Sequence, residues 1–114
     1  MVITGGKILM MGYPTGVSAA VGMKHDEAKP RFDLIPPIAE LEVDKVLEYG
    51  ARKYGAYNWR QVENPQDRYL AAARRHINAW MQNESYDDES GLPHLAHAIT
   101  SLMFILELEL EQSQ

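Results

Sequence analysis

The run Leu92–Leu106, Leu-Pro-His-Leu-Ala-His-Ala-Ile-Thr-Ser-Leu-Met-Phe-Ile-Leu, limits what this chain can become more than any other stretch does. It reads as a helix that is apolar nearly all round, and such a helix belongs in the middle of a core. Yet it opens with His94 and His97. That spacing puts both imidazoles on one helix face, with Cβ atoms about 5–6 Å apart. Upstream, Tyr69–Asn83 reads as a second helix, with Leu70, Ala73, Ile77 and Trp80 at helical spacing. It carries Arg74, Arg75 and His76. An antiparallel hairpin across the loop Glu84–Ser90 places His76 and His97 at similar distances from the turn. At about 1.5 Å of rise per residue the two come level. Three histidines and two arginines at one height of a helical hairpin form the candidate site.

At 114 residues the chain is one domain, and at 46% hydrophobic its core is modest, which oligomerisation would help. A net charge of −5 speaks against a nucleic-acid polymer as partner, because that needs a basic surface. An anionic small molecule remains compatible, because the positive charges cluster locally. There are no cysteines, so neither a disulfide framework nor a thiolate metal site is available. No apolar run has the length of a membrane span. Residues 1–23, rich in glycine and with Lys7 as their lone cation, read as a flexible arm and a poor signal peptide. The protein is therefore expected to be cytoplasmic. Gly5-Gly6-Lys7 lacks the spacing of a phosphate-binding loop.

Residues 24–114 form the expected single domain. In Lys24–Pro37, Lys29 and Arg31 share a side if the segment is extended, and either grip phosphate oxygens or are ordinary surface charge. Phe32, Leu34 and Ile35 are expected to pin the segment to the core, and Pro36-Pro37 favours a helix start. Ile38–Tyr54 reads as the first helix, with Leu41, Val46, Leu47 and Tyr54 as its apolar face and Gly55 as its C-cap. Gly50 inside it costs about 1 kcal/mol relative to alanine, a cost that a close backbone contact or a ligand would explain. Glu42 and Glu48 are either metal ligands or a solvated charge row. In the loop Tyr54–Arg60, Trp59 is placed to stack a base and Asn58 to read its edge; the plain alternative is a cap on the core. In the acidic loop, Asp87 is a possible oxygen ligand beside the histidines, and Ser90 a possible cap for the third helix, with Pro93 in its first turn. His25-Asp26 lacks the upstream histidine of an HD-type phosphohydrolase.

Several ordered runs resemble a known family: Lys29–Pro37, Tyr49–Gly55, Asn58-Trp59, Arg75-His76 and Ser90–Ala98. They are similar to the phage-associated N-terminal domain of dATP/dGTP diphosphohydrolases, related to the all-α, MazG-like nucleotide pyrophosphohydrolases. The resemblance covers about Lys24 to Leu110. It implies an all-α bundle of about three main helices behind the N-terminal arm, a homo-oligomer, and Mg²⁺ or Mn²⁺. It also implies cleavage of purine deoxynucleoside triphosphates to monophosphate and pyrophosphate, in the cytoplasm of a bacterial host where the chain is phage-encoded. MazG-like enzymes carry Glu-x-x-Glu and Glu-x-x-Asp on two helices; this chain has Ala73-x-x-His76 and His94-x-x-His97 in their place. Imidazole suits Zn²⁺, Ni²⁺ or Mn²⁺ better than Mg²⁺.

The leading expectation is a metal-dependent nucleotide pyrophosphohydrolase. His76, His94 and His97 hold the divalent metal, and Glu42, Glu48 or Asp87 complete the catalytic site. Lys29, Arg31, Lys53, Arg74 and Arg75 meet the phosphates, and Asn58 and Trp59 the base. The rival readings are a non-catalytic protein that sequesters a nucleotide and a helical scaffold for oligomerisation. For the histidines, the alternative is three hydrogen-bonded core imidazoles.

Overall fold

A computed structural model describes residues 22–113. The expectations for the arm at residues 1–21 lie outside them. The chain divides into two compact units, residues 1–31 and residues 32–114. In the first, the described residues are all exposed and the chain turns, with the Lys29 N–H donating to the Asp26 carbonyl at 3.0 Å. The extended run expected over Lys24–Pro37 is therefore interrupted by this turn, which ends at Lys29.

The second unit is built of three helices: α1 (Pro37–Tyr54), α2 (Pro65–Met81) and α3 (His94–Gln112). Short 3-10 turns at Phe32–Leu34 and Asn58–Gln61 precede α1 and α2. Extended pairing among the described residues is confined to one isolated antiparallel bridge between Tyr86 and Pro93. The protein is all-α. Prolines open both early helices, where a missing N–H costs nothing. Gly55 ends α1 at φ 101°, a conformation closed to most side chains, with its N–H on the Ala51 carbonyl.

α3 is the central element, packing on α2 most extensively and on α1 as well. Small residues make the join: Ala73 is fully buried, Ala96 and Ala98 nearly so, and Thr100 and Ser101 lie inside. The Thr100 hydroxyl donates to the Ala96 carbonyl at 2.8 Å, so its burial leaves no polar group unpaired. Val43 and Val46 of α1 pack on Ala96, flanked by Leu47 and Leu92. Among the described residues no large side chain is fully buried.

Three expectations need correcting. Phe32, Leu34 and Ile35 do not reach the core, and the first two are more than two-thirds exposed. Burial on α1 begins only at Val43, so the chain before it lies beyond the point where α1 meets the other helices. For the same reason Leu41 stays outside, and Tyr54 is 63% exposed at the far end. On α2, Leu70 and Trp80 remain close to half exposed, because the contact runs through Ala73.

Along α3, Leu95, Ile99, Leu102, Leu106 and Leu110 form an exposed stripe with Met103 beside it. α3, read from its sequence as apolar nearly all round, thus carries an apolar face that α1 and α2 leave exposed.

Candidate functional site

The loop between α2 and α3 decides where the chemistry sits. It closes on itself through three backbone bonds: Asp87 N–H to the Leu92 carbonyl, Gly91 N–H to the Asp87 carbonyl, and His94 N–H to the Ser85 carbonyl. Gly91 has φ 72°, the left-handed turn that lets the chain double back. The His94 bond occupies the first amide group of α3, whose N-cap residue, Pro93, offers no side-chain cap. Ser90 is thus not the helix cap. Its hydroxyl instead accepts from the Leu92 N–H and bonds His97 Nε2 at 2.7 Å.

The three histidines converge as the hairpin requires. His76 Nδ1 and His94 Nδ1 are 2.8 Å apart, so one carries the shared proton. The His76 ring stacks on His97 with centroids 4.5 Å apart. Asp87 joins them from the loop. The tightest donor group is His76, Asp87 and His94, whose ligand atoms all lie within 4.8 Å of one another. His97 stands beside this group, engaged by Ser90, with its Nε2 3.9 Å from Asp87 Oδ2. Two imidazoles and one carboxylate converging in this way fit a divalent transition metal.

Burial holds the pKa of His76 below its ordinary value, and the neighbouring His97 and His94 push it the same way. Burial also lowers that of His97, against the opposing pull of Asp87. Burial alone would raise the Asp87 pKa, but bonds from the Ser90 backbone and side chain outweigh it, so the carboxyl titrates below its usual range. A neutral His76 beside an ionised Asp87 is the pair of protonation states that a metal needs.

These shifts set a pH dependence of folding. Unfolded histidine takes up its proton near pH 6.5, and folded His76 and His97 do so lower. Between the two values the unfolded chain binds more protons, so stability rises with pH there. Their contribution is complete above about pH 6.5 and is lost as pH falls through the folded values. Asp87 adds a second loss further into acid, below the ordinary carboxylate value. The melting temperature is expected to drop from about pH 7.5 to about pH 5.5, and less steeply in His97→Gln. Equal melting at both pH values would count against the burial of these rings.

A cleft of about 1160 Å³ opens beside His76, Asp87 and His97 but is not lined by His94; α1, α2, α3 and both connecting loops form its walls. Tyr49, Gly50 and Lys53 face it from α1. A Cβ built on Gly50 meets nothing within 4 Å, so this glycine leaves open space along the cleft wall. Glu89 accepts hydrogen bonds from both the Tyr49 hydroxyl and the Lys53 ammonium, tying the acidic loop to α1. These bonds, Lys53 first, hold the Glu89 carboxyl below its usual range. Tyr49 also meets the His97 ring edge-on at 6.3 Å.

Other expected residues divide. Arg75 lines the cleft, while Arg74 points to the exposed side of α2 and does not. Arg68 lines it as well, and the sequence reading passed it over; its spacing of two helical turns from Arg75 was the available signal. Glu48 reaches the cleft edge near Arg52, at 3.9 Å. Glu42 is paired with Lys45 at 2.9 Å and does not line it. Asn58 and Trp59 both do.

Trp59 is already engaged. Phe104 stacks on it at 4.5 Å and 6°, and the Arg60 guanidinium lies over its ring at 4.4 Å. Arg60 is itself held by Glu111 at 2.9 Å, and the Tyr69 hydroxyl donates to the Trp59 carbonyl at 3.0 Å. Two residues earlier, Tyr57 adopts φ 62° and ψ 10°. That left-handed conformation costs a residue with a side chain about 1–2 kcal/mol.

Comparison with known proteins agrees with this architecture's sequence signature. The family model described as dATP/dGTP diphosphohydrolase, N-terminal, matches residues 19–114. The chain belongs to that family. A relative from Salmonella phage PMBT28, named dATP/dGTP diphosphohydrolase, is 41% identical over 87 residues. The match covers 76% of this chain and 29% of the relative, so the chain spans less than a third of that protein's length. No solved structure matches the chain. No helix of the described residues is long and apolar enough to cross a membrane.

Proposed function

We propose that this domain binds a purine deoxynucleoside triphosphate in the cleft and hydrolyses it to the monophosphate and pyrophosphate, with a divalent cation held by His76, Asp87 and His94. The observation that carries this reading is the convergence of those three donors, of which His76 and Asp87 line a cleft with three cationic side chains, Lys53, Arg68 and Arg75, while His94 is buried behind them. The printed name of the phage relative supports the reaction class and the purine substrates.

When bound, such a cation supplies a Lewis acid and a water acidic enough to ionise near neutrality. The chain's own groups do the rest. Arg68 and Arg75 stand two turns apart on α2 and neutralise charge along the phosphate chain. Lys53, clamped by Glu89, is held toward the cleft as a fixed positive charge. His97 is neutral, half-buried and outside the tightest donor group. With its Nε2–H donating to the Ser90 hydroxyl, the ring's other nitrogen, Nδ1, is the proton acceptor for an attacking water. Asp87 Oδ2 stabilises the imidazolium that results. Glu89 fixes the loop that carries both Asp87 and Ser90.

A second reading is favoured by the single carboxylate in the donor group: the domain retains a nucleotide without turning it over, since Mg²⁺ prefers oxygen ligands. Incubation with a mixed nucleotide pool and a panel of Mg²⁺, Mn²⁺, Zn²⁺ and Ni²⁺, followed by mass spectrometry, separates the two. Deoxynucleoside monophosphate with pyrophosphate supports hydrolysis; unchanged nucleotide retained by the protein supports sequestration; neither outcome refutes both.

The exposed α3 stripe supports one further element of this proposal, a homo-oligomer in which the stripe is covered by a second copy of the chain.

A further inference from the structure

We infer that Tyr57, rather than Trp59, is the stacking surface for the nucleobase; this deepens the nucleotide reading of the cleft and rests on it. Trp59 has Phe104 stacked on it and Arg60 over its ring, and Arg60 is in turn bonded to Glu111. A base could stack there only by breaking contacts that anchor the loop to α3. Tyr57 presents the opposite situation. It lines the cleft, is 73% exposed, and no ring partner or hydroxyl hydrogen bond of it occurs among the described residues.

Its backbone strengthens the case. Of the three non-glycine residues at positive φ among the described residues, two are asparagines, which tolerate that conformation, and the third is Tyr57. A large ring in a strained backbone is maintained when its surroundings impose the position, and such strain clusters at ligand contacts. Here the imposing surroundings are visible. The Asn58 N–H bonds the Gly55 carbonyl and the Arg60 N–H bonds the Tyr57 carbonyl, so the turn is fixed on both sides of the tyrosine. Trp59, locked by Tyr69, Phe104 and Arg60, is the anchor of this turn, and Tyr57 is the residue it projects. The ligand class is an aromatic base on a phosphate chain. Arg68, Arg75 and Lys53 in the same cleft take the phosphates, and Tyr57 at its rim takes the base.

The test compares dATP with inorganic tripolyphosphate, in the presence of Mn²⁺, by titration calorimetry on the full chain. Tyr57→Gly removes the ring and accepts the positive φ without strain, so it folds at least as well as the parent. The expected result is a roughly ten- to hundredfold loss of dATP affinity in this variant, the range of base–aromatic stacking, with tripolyphosphate binding unchanged. Tyr57→Phe, which keeps the ring, retains dATP affinity. Equal dATP affinity in Tyr57→Gly and the parent overturns the inference while leaving the nucleotide reading intact. A parent chain that binds neither probe overturns both.

Discussion

Alanine at His76, Asp87 or His94 is expected to weaken Mn²⁺ or Zn²⁺ binding by more than the roughly 10- to 100-fold typical of losing an outer partner of a metal ligand. Each is one of three donors within a single 4.8 Å group, so removing any one leaves an incomplete site. Double replacements should then cost little more than singles, because residues sharing one ligand are not independent. His97→Ala should cost less, since its Nε2 is engaged by Ser90 and it meets the group by stacking on His76. Hydrolysis should fall much further in His97→Ala than metal affinity does, because proton acceptance is the role proposed for that ring. Titration calorimetry with each metal, with circular dichroism to verify folding, provides the measurement. A triple His76→Ala, Asp87→Ala, His94→Ala protein that binds metal like the parent would falsify the site.

Sedimentation at micromolar concentration is expected to give a dimer or larger species rather than the 12.9 kDa monomer. The reason is the mismatch between α3 and its neighbours. Leu95, Ile99, Leu102, Leu106 and Leu110 are each 40–54% exposed and recur every three or four residues, so they lie on one face. A nineteen-residue helix is about 28 Å long, enough for two copies of the stripe to pair along their length. Apolar area removed from water contributes about 25 cal/mol per Å², so covering this face outweighs any single surface ion pair in the fold. A Leu102→Glu, Leu106→Glu variant should sediment as a monomer, because each buried carboxylate would lack a partner. A parent chain that is monomeric at these concentrations rules out the second copy as the cover.

How far the candidate site was legible in the sequence differs from residue to residue. The meeting of His76 with His94 and His97 followed from helical rise and one short loop, both local quantities. Arg68 was equally legible by its spacing from Arg75, and only the emphasis on adjacent arginines hid it. By contrast, Ser90 looked like a cap because serine before a helix usually is one. In the folded loop, the Ser85 carbonyl takes the His94 amide and leaves the Ser90 hydroxyl to His97. The clamp of Glu89 on Tyr49 and Lys53 joins residues 36 and 40 apart, a separation at which no periodicity speaks. Trp59 and Tyr57 are both aromatics in one loop; which of them is locked and which is presented depends on where Phe104 and Arg60 come to rest.

The sequence by itself determined the three helices, their prolines and glycine at the ends, and the apolar surplus on α3. Those are consequences of backbone stereochemistry and of side-chain spacing within a few turns. Only the tertiary structure decided which carboxylate joins the imidazoles, which of the loop aromatics is locked by Phe104 and Arg60, and that Phe32 and Leu34 stay in water. Each of these depends on the distance between elements far apart in the chain, and that distance is set by the small residues Ala73, Ala96 and Ala98 on which the helices close.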